Sequence, residues 1–576
     1  MRRREELREL LNEIRSLRQY IGARYVPKFI DDPWTDLIEY ENLSVVSVNG
    51  TSYISGQTVP VGTPISDRNY WHIYGASSGA IINLQNQIDN MNDGDVPGSL
   101  QNQINDNTSD ITALTNKYDS YVAMPTYYGA VGDGITDDTQ AFIDCFTNND
   151  NVYIPDGKYK ITNTIPIHSN MNIDGVGVIY NADENIDLLK GDTVSNVTIK
   201  GITIENATPT QTYTTRTGDI TFIHSKSIIV DGIKFNTVNK SSAVLLDYVE
   251  DFEVINCIIN DVAYCGILCY GHCYYGVIDN NVIDVGTYTI NNNTYGIGLS
   301  CIEAGVGAAK AYECKYIIIS NNVVRTDLAY WEGIDSHLGE HIEIVNNIVK
   351  GFYFGISVTR VNSTDSPKWF KIDGNVIEGN ANIHTSRTLE YGINFAGNSA
   401  DECNSSITNN DLNNFPIAGS CAIVADECND LTIANNNFNR RIDTACIYLF
   451  KATRAIVKNN IANSIVGDFI KINTLLSTCQ IFDNVLLNGR NFYVIVGTAG
   501  LQYLYRNGNR IENSYWMDSS NTPNITNFVP DELDSAPTAS NYHYPKAVCR
   551  KKTPTSGQPQ GWIANGTTWL AMANLT

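Results

Sequence analysis

The sequence predicts an all-β protein built on a right-handed parallel β-helix, and three observations carry that expectation. One short pattern recurs twelve times between Ile199 and Asn507: an apolar residue, a spacer, an Asn, Gly or Asp, usually a further Asn, then more apolar residues. Its anchors are Gly201, Gly232, Asn256, Asn280, Asn321, Asn346, Gly374, Asn409, Asn435, Asn459, Asp483 and Asn507. Five of the eleven steps between them are 24 residues and most of the others are slightly longer, as in a solenoid whose units carry insertions in their loops. On both sides of each anchor the residues alternate, as in Val230 to Phe235 and Ile344 to Val349, which reads as short strands meeting at a tight corner. The corner calls for a left-handed backbone, which favours Asn and Gly. Stacked in register, the Asn side chains are expected to bond to one another up the column. At ~4.8 Å per coil, the steps add up to a rod of about 53 Å with a long lateral face.

Five modules follow in order. Residues 1–24 form an N-terminal helix: Leu7, Leu10, Ile14, Leu17 and Ile21 keep 3,4 spacing, an apolar seam that copies of itself would satisfy. Residues 25–78 change to short strands and turn signals, with Asn49-Gly50 between VVSV and TSYIS as a two-residue hairpin. Trp34, Tyr53, Tyr70 and Trp71 in this module serve either as its core or as sugar-stacking rings. Residues 79–122 carry two more heptad blocks, Ile81 to Met91 and Leu100 to Tyr118, broken by Gly94, Pro97 and Gly98. Asn107 sits at a seam position, where a polar residue fixes register; the seam alone leaves two or three strands open. Residues 123–530 are the β-helix and 531–576 a C-terminal β tail.

Composition narrows the function. The chain has 576 residues, net charge −23 and only 39 basic residues, which speaks against nucleic acid as a partner. No apolar run approaches the length of a membrane span. The opening MRRREELRELL has neither an apolar core nor a cleavage site and does not read as a secretory signal. Thirteen cysteines without CxxC-type spacing predict buried thiols and folding in a reducing cytoplasm, with Cys314, Cys403 and Cys428 stacked at one place in three coils.

Within YGAVGDGITDDTQAFIDCF, Ala141, Phe142, Cys145 and Phe146 fall on one side of a helix that would close the open end of the barrel, capped by Asp137 or Thr136. Asp133, Asp137 and Asp138 lack the spacing of a calcium loop. This segment, with VYIPDGKYKITNTI and NMNIDGVG after it, resembles the opening of the pectate-lyase-like superfamily. The order of stalk, small β module, that opening and Asn-rich coils resembles bacteriophage tailspikes and the pre-neck appendages of short-tailed phages. The resemblance covers nearly the whole chain. It implies a homotrimer made in the host cytoplasm and carried on the virion. Its N-terminal region would bind phage tail proteins, and its rod would face a host cell-surface glycan or teichoic acid.

The densest ionisable cluster is Tyr330 to His337. If Ile334 points inward, alternation sends Asp335 and His337 outward, and Glu332 at the preceding corner can join them. The segment EGIDSH is similar to an EGID-x-H strand recurrent in this superfamily, which implies catalytic roles for Glu332, Asp335 and His337. Glu303 and Arg360 from neighbouring coils, with Tyr330, Trp331 and Tyr353, are the expected substrate contacts. Paired carboxylates point first to glycan hydrolysis. A lyase using His337 beside Arg360 or Lys310, a teichoic-acid phosphodiesterase, and a fibre that binds without cutting stay open. For the phosphodiesterase alternative Asp335, Glu332 and His337 are suitable types of metal ligand, but no residues are set apart as dedicated ligands. The cofactor is unknown, with a divalent cation such as calcium left open.

Overall fold

The computed structural model describes residues 28–73 in part, residues 122–495 apart from short loop segments, and isolated strands beyond them. It divides into residues 1–118 and residues 119–576. The predicted seams at Leu7 to Ile21 and at Ile81 to Tyr118 lie outside the described residues.

In the first unit, strands Ser44–Val48 and Thr51–Ser55 pair antiparallel with Val48 opposite Thr51, the hairpin expected around Asn49-Gly50. Trp71 is fully buried and meets Tyr40 edge to face at 5.2 Å. Of the two roles open to the aromatic residues, Trp71 takes the core.

In the second unit the chain coils through three parallel sheets, right-handed as parallel crossovers are. The first sheet runs over fourteen strands from Asn151–Ile154 to Tyr503–Asn507, and the third over fourteen from Ile165–Ile167 to Tyr515–Asp518. The second stacks upward from Lys158–Lys160. It continues through Asp531–Leu533 and Val548–Lys551, so the first two strands beyond residue 530 extend the stack, and antiparallel pairing begins only at Gly561–Ala564. The inward residues are branched and apolar: Ile267, Ile297, Ile334, Ile356, Ile393 and Ile423 lie in one column, all buried. Among the described residues no helix is long and apolar enough to cross a membrane.

The corner between the first and second sheets has the predicted backbone. Asn256, Asn280, Asn321, Asn346, Asn409, Asn435 and Asn459 have φ between 55 and 58°. The last anchor shifts by one: Asn507 ends its strand, and Gly508 (φ 67°) makes the turn. The hydrogen-bonded column also stands one residue beyond the anchors. Asn281, Asn322, Asn347, Asn375, Asn410, Asn436, Asn460, Asn484 and Asn509 are buried and in line. In each link the lower residue donates its backbone N–H and its Nδ2–H to the Oδ1 of the residue above, at 2.9–3.0 Å. Each Nδ2 also reaches a main-chain carbonyl at 2.9–3.0 Å, as Asn347 reaches Ile319. The anchor must turn the backbone, and its side chain is thrown outward. The residue after it points in, where an amide persists only if every donor and acceptor is matched.

The helix Thr139–Asn148 closes the N-terminal end with Ala141, Phe142, Cys145 and Phe146 buried. Phe142 meets Tyr159 edge to face at 5.2 Å, and a Cβ on Gly132 would come within 2.9 Å of the Tyr159 ring. Those contacts are why the opening needs both a glycine at 132 and a tyrosine at 159. Asp138 is the N-cap residue, but its carboxylate accepts Val131 and Gly132 N–H, while Asp137 accepts the first helical N–H, from Thr139. Asp133 accepts Ile135 N–H and both N–H and Oγ1–H of Thr136. These aspartates are occupied by local donors. All eleven described cysteines are buried and free, Cys314, Cys403 and Cys428 among them.

Candidate functional site

The strand Glu332–His337 lies in the third sheet between Tyr295–Ser300 below and Phe354–Thr359 above. Strict alternation would put Glu332 and Asp335 on opposite faces. The Gly-Ile step prevents this. A Cβ on Gly333 would lie 2.5 Å from the core atom Val349 Cγ1 and 2.6 Å from Gly355 O, and Ile334 is itself in the core. Two successive residues therefore face inward, and Glu332, Asp335 and His337 all reach the outer side. Gly296, Gly355 and Gly392 make the same close approach in neighbouring coils.

Small residues flank Asp335 and His337 in the outward column. Asp335 has Gly298 below and Ser357 above, and His337 has Ser300 below and Thr359 above. Glu332 is flanked instead by rings, Tyr295 below and Phe354 above. Each of the three side chains offers a donor atom lying within 4.8 Å of the other two, and His337 Nε2 is 3.4 Å from Asp335 Oδ2. Glu332 and Asp335 are each only 3% exposed, and Glu332 Oε2 and Asp335 Oδ1 are buried without a hydrogen-bond partner.

The electrostatics follow from that burial. Both carboxyls are held well above the usual carboxylate range, Glu332 by burial and then by the charge of Asp335, Asp335 by burial. Burial pushes the His337 imidazole down, opposed by the charge of Glu332. Tyr295 is raised by burial and then by the Glu332 and Asp335 charges.

Of the predicted contacts, Trp331 and Tyr353 stack at 5.1 Å and 7°, on residues next to Glu332 and Phe354 in sequence. Arg360 does not join the cluster. Its guanidinium is held by the Glu427 carboxylate and by Gly397 O at 2.6 Å. Glu303, Tyr330 and Lys310 lie outside the described residues. Phe354, which the sequence also places beside the site, and Tyr391, which sequence reasoning passed over, extend the ring surface, stacked at 5.3 Å. The signal was present as a repeated tripeptide: Tyr295-Gly-Ile, Glu332-Gly-Ile, Phe354-Gly-Ile and Tyr391-Gly-Ile read the same outward column coil by coil.

No family model matches the chain. A stretch of 51 residues is 49% identical to the pre-neck appendage protein of Bacillus phage B103, covering 9% of this chain and 6% of that protein. Among solved structures, the tailspike protein of E. coli bacteriophage HK620 in complex with pentasaccharide aligns at 15% identity and TM-score 0.49, over 71% of this chain and 82% of its own. The Streptococcus pneumoniae surface adhesin PfbA aligns at 14% and 0.43, over 78% and 98%. Tailspike protein 3 of bacteriophage CBA120 aligns at 11% and 0.38, over 97% and 88%. The chain is a right-handed parallel β-helix protein that shares a short stretch of sequence with a phage pre-neck appendage protein.

Proposed function

We propose that the protein is a virion appendage that grips a host cell-surface polymer, a glycan or teichoic acid, along its third sheet and cleaves it hydrolytically at Glu332, Asp335 and His337. The observation that carries this is the juxtaposition of two buried, outward-facing carboxyls and an imidazole with a stacked aromatic surface. A structural rung has no use for buried ionisable groups with unmatched oxygens, whereas a working site needs perturbed acids. Trp331, Tyr353, Phe354 and Tyr391 supply apolar faces of the kind sugar rings lie against.

The acids sit too close to hold a water between them, as inverting pairs separated by roughly 6.5–9.5 Å do. The reading that fits is a single unit, with Glu332, Asp335 and His337 acting together on one attacking water from one side of the bound chain. The engagement of Arg360 by Glu427 weighs against a lyase that would recruit it to stabilise an enolate. The same site could serve a glycosidic or a phosphodiester bond. The assembly would be a homotrimer whose N-terminal region meets the virion, as the resemblance of the module order to tailspikes implies.

Purified protein incubated with host cell wall or capsule, followed by assay of reducing ends, unsaturated uronates and phosphate, separates the bond types. Asp335→Asn and His337→Ala should abolish release and leave binding to the wall. Full-rate cleavage by both variants would sink the site, and binding without release by the unaltered protein would make the rod a receptor-binding fibre.

A further inference from the structure

The acid pair lacks a counter-charge. Among the described residues no Lys or Arg pairs with Glu332 or Asp335; His337 is the sole basic group in ion-pair range of Asp335. Two carboxyls packed together in a buried setting cannot both ionise without a compensating positive charge. Each also presents an oxygen, Oε2 of Glu332 and Oδ1 of Asp335, sealed from solvent and unmatched by any donor. Sealed polar atoms without partners are rare in folded proteins and call for a reason. Here they sit within a group of three donor atoms all inside 4.8 Å of one another.

We infer that Glu332, Asp335 and His337 form a binding site for one divalent transition-metal ion, of the Zn²⁺ or Mn²⁺ class. The donor set decides the class. Ca²⁺ and Mg²⁺ prefer shells made of oxygen, and an imidazole shifts preference toward the later first-row ions. Three protein ligands leave a fourth position for water, which is the ligand count of a catalytic rather than a structural site. An ion there would satisfy the two orphaned oxygens and hold a water at the point where hydrolysis needs one. The inference rests on the hydrolytic reading only for its purpose; the ion-binding claim stands on the geometry alone.

The test uses the full-length chain, stripped with EDTA and titrated calorimetrically with ZnCl₂ and then MnCl₂, with the Mn²⁺ electron paramagnetic resonance signal as a second readout. One ion per chain is expected. Affinity should fall roughly 100-fold or more in Glu332→Gln and Asp335→Asn and hold in Asp133→Asn, an exposed acid at the far end of the rod, with thermal unfolding confirming that each variant folds. Ca²⁺ in excess should not displace the ion. Absence of uptake, uptake unchanged in both site variants, or ready displacement by Ca²⁺ overturns the inference. Stripped protein that still cuts polymer at full rate would remove the ion from the reaction and leave hydrolysis standing. Protein that binds the ion yet releases nothing would do the reverse.

Discussion

Asp219 and the Glu332–Asp335 pair are carboxyls sealed into the same rod, and they differ in what faces them. Asp219 is fully buried with Lys240, equally buried, at 3.7 Å. Asn206 Nδ2 donates to both of its oxygens at 2.9–3.0 Å. Lys240 in turn donates to Asn181 Oδ1, Asp183 O and Asn239 Oδ1. Both charged groups there have partners, and the network ties together three successive coils. The Glu332–Asp335 pair has no Lys or Arg beside it among the described residues, only His337 against Asp335, and it keeps two unmatched oxygens. Buried charge with its counter-charge supplied is architecture. Buried charge left wanting marks a place where something else is meant to bind.

Breaking that contrast should give effects in a definite order. Asp335→Asn removes one of two mutually repelling groups, so polymer release should fall by about 10³-fold, within the usual range for a lost acid–base group, while the urea midpoint holds or rises. Lys240→Met leaves Asp219 buried without its cation and should destabilise the rod by about 3–5 kcal/mol in denaturant unfolding. The pH dependence sharpens the comparison further. Burial raises Asp219 to about 6 in the folded protein, against the reference value of 3.8. The native state then holds a proton that the unfolded chain has released, so this group's contribution is full below pH ~4 and lost as pH rises to ~6, by roughly 3 kcal/mol. The slope should flatten in Asp219→Asn. Asn347→Ala takes one rung from the interior column and orphans Asn322 N–H and Ile319 O, for a loss of about 2–3 kcal/mol in stability. Trp331→Ala should weaken polymer binding by about 1 kcal/mol with the chemical step intact, measured by cosedimentation with cell wall.

The coil was readable because its corner obeys a backbone rule: only residues tolerant of positive φ occupy it, so Asn and Gly recur at fixed spacing. The interior column was displaced by one residue in that reading, since turning and bonding demand different things and fall to neighbouring positions, Asn346 turning and Asn347 bonding. Glu332, Asp335 and His337 were legible through the Gly-Ile step, which signals where inward register is enforced. Arg360 was not. Its partner Glu427 is 67 residues away, and which insertion brings two coils together depends on loop paths that no periodicity encodes. Lys240 was missed for the same reason, with Asn181 at a separation of 59 residues. Trp71 had two roles open in a short module, and only packing against Tyr40 decides between them.

The asparagine column runs with a single polarity, each carbonyl oxygen receiving from the residue beneath it. Asn436 and Asn460 are 24 residues apart and Asn460 and Asn484 again 24, so excising residues 437–460 would splice Asn436 onto a segment whose first strand and next amide match those removed. The length of the rod can thus change in quanta of one coil, about 4.8 Å each, above the acids and without disturbing them. Gene duplication or deletion alone would lengthen or shorten the scaffold by whole rungs and leave the rung of Glu332, Asp335 and His337 as inherited.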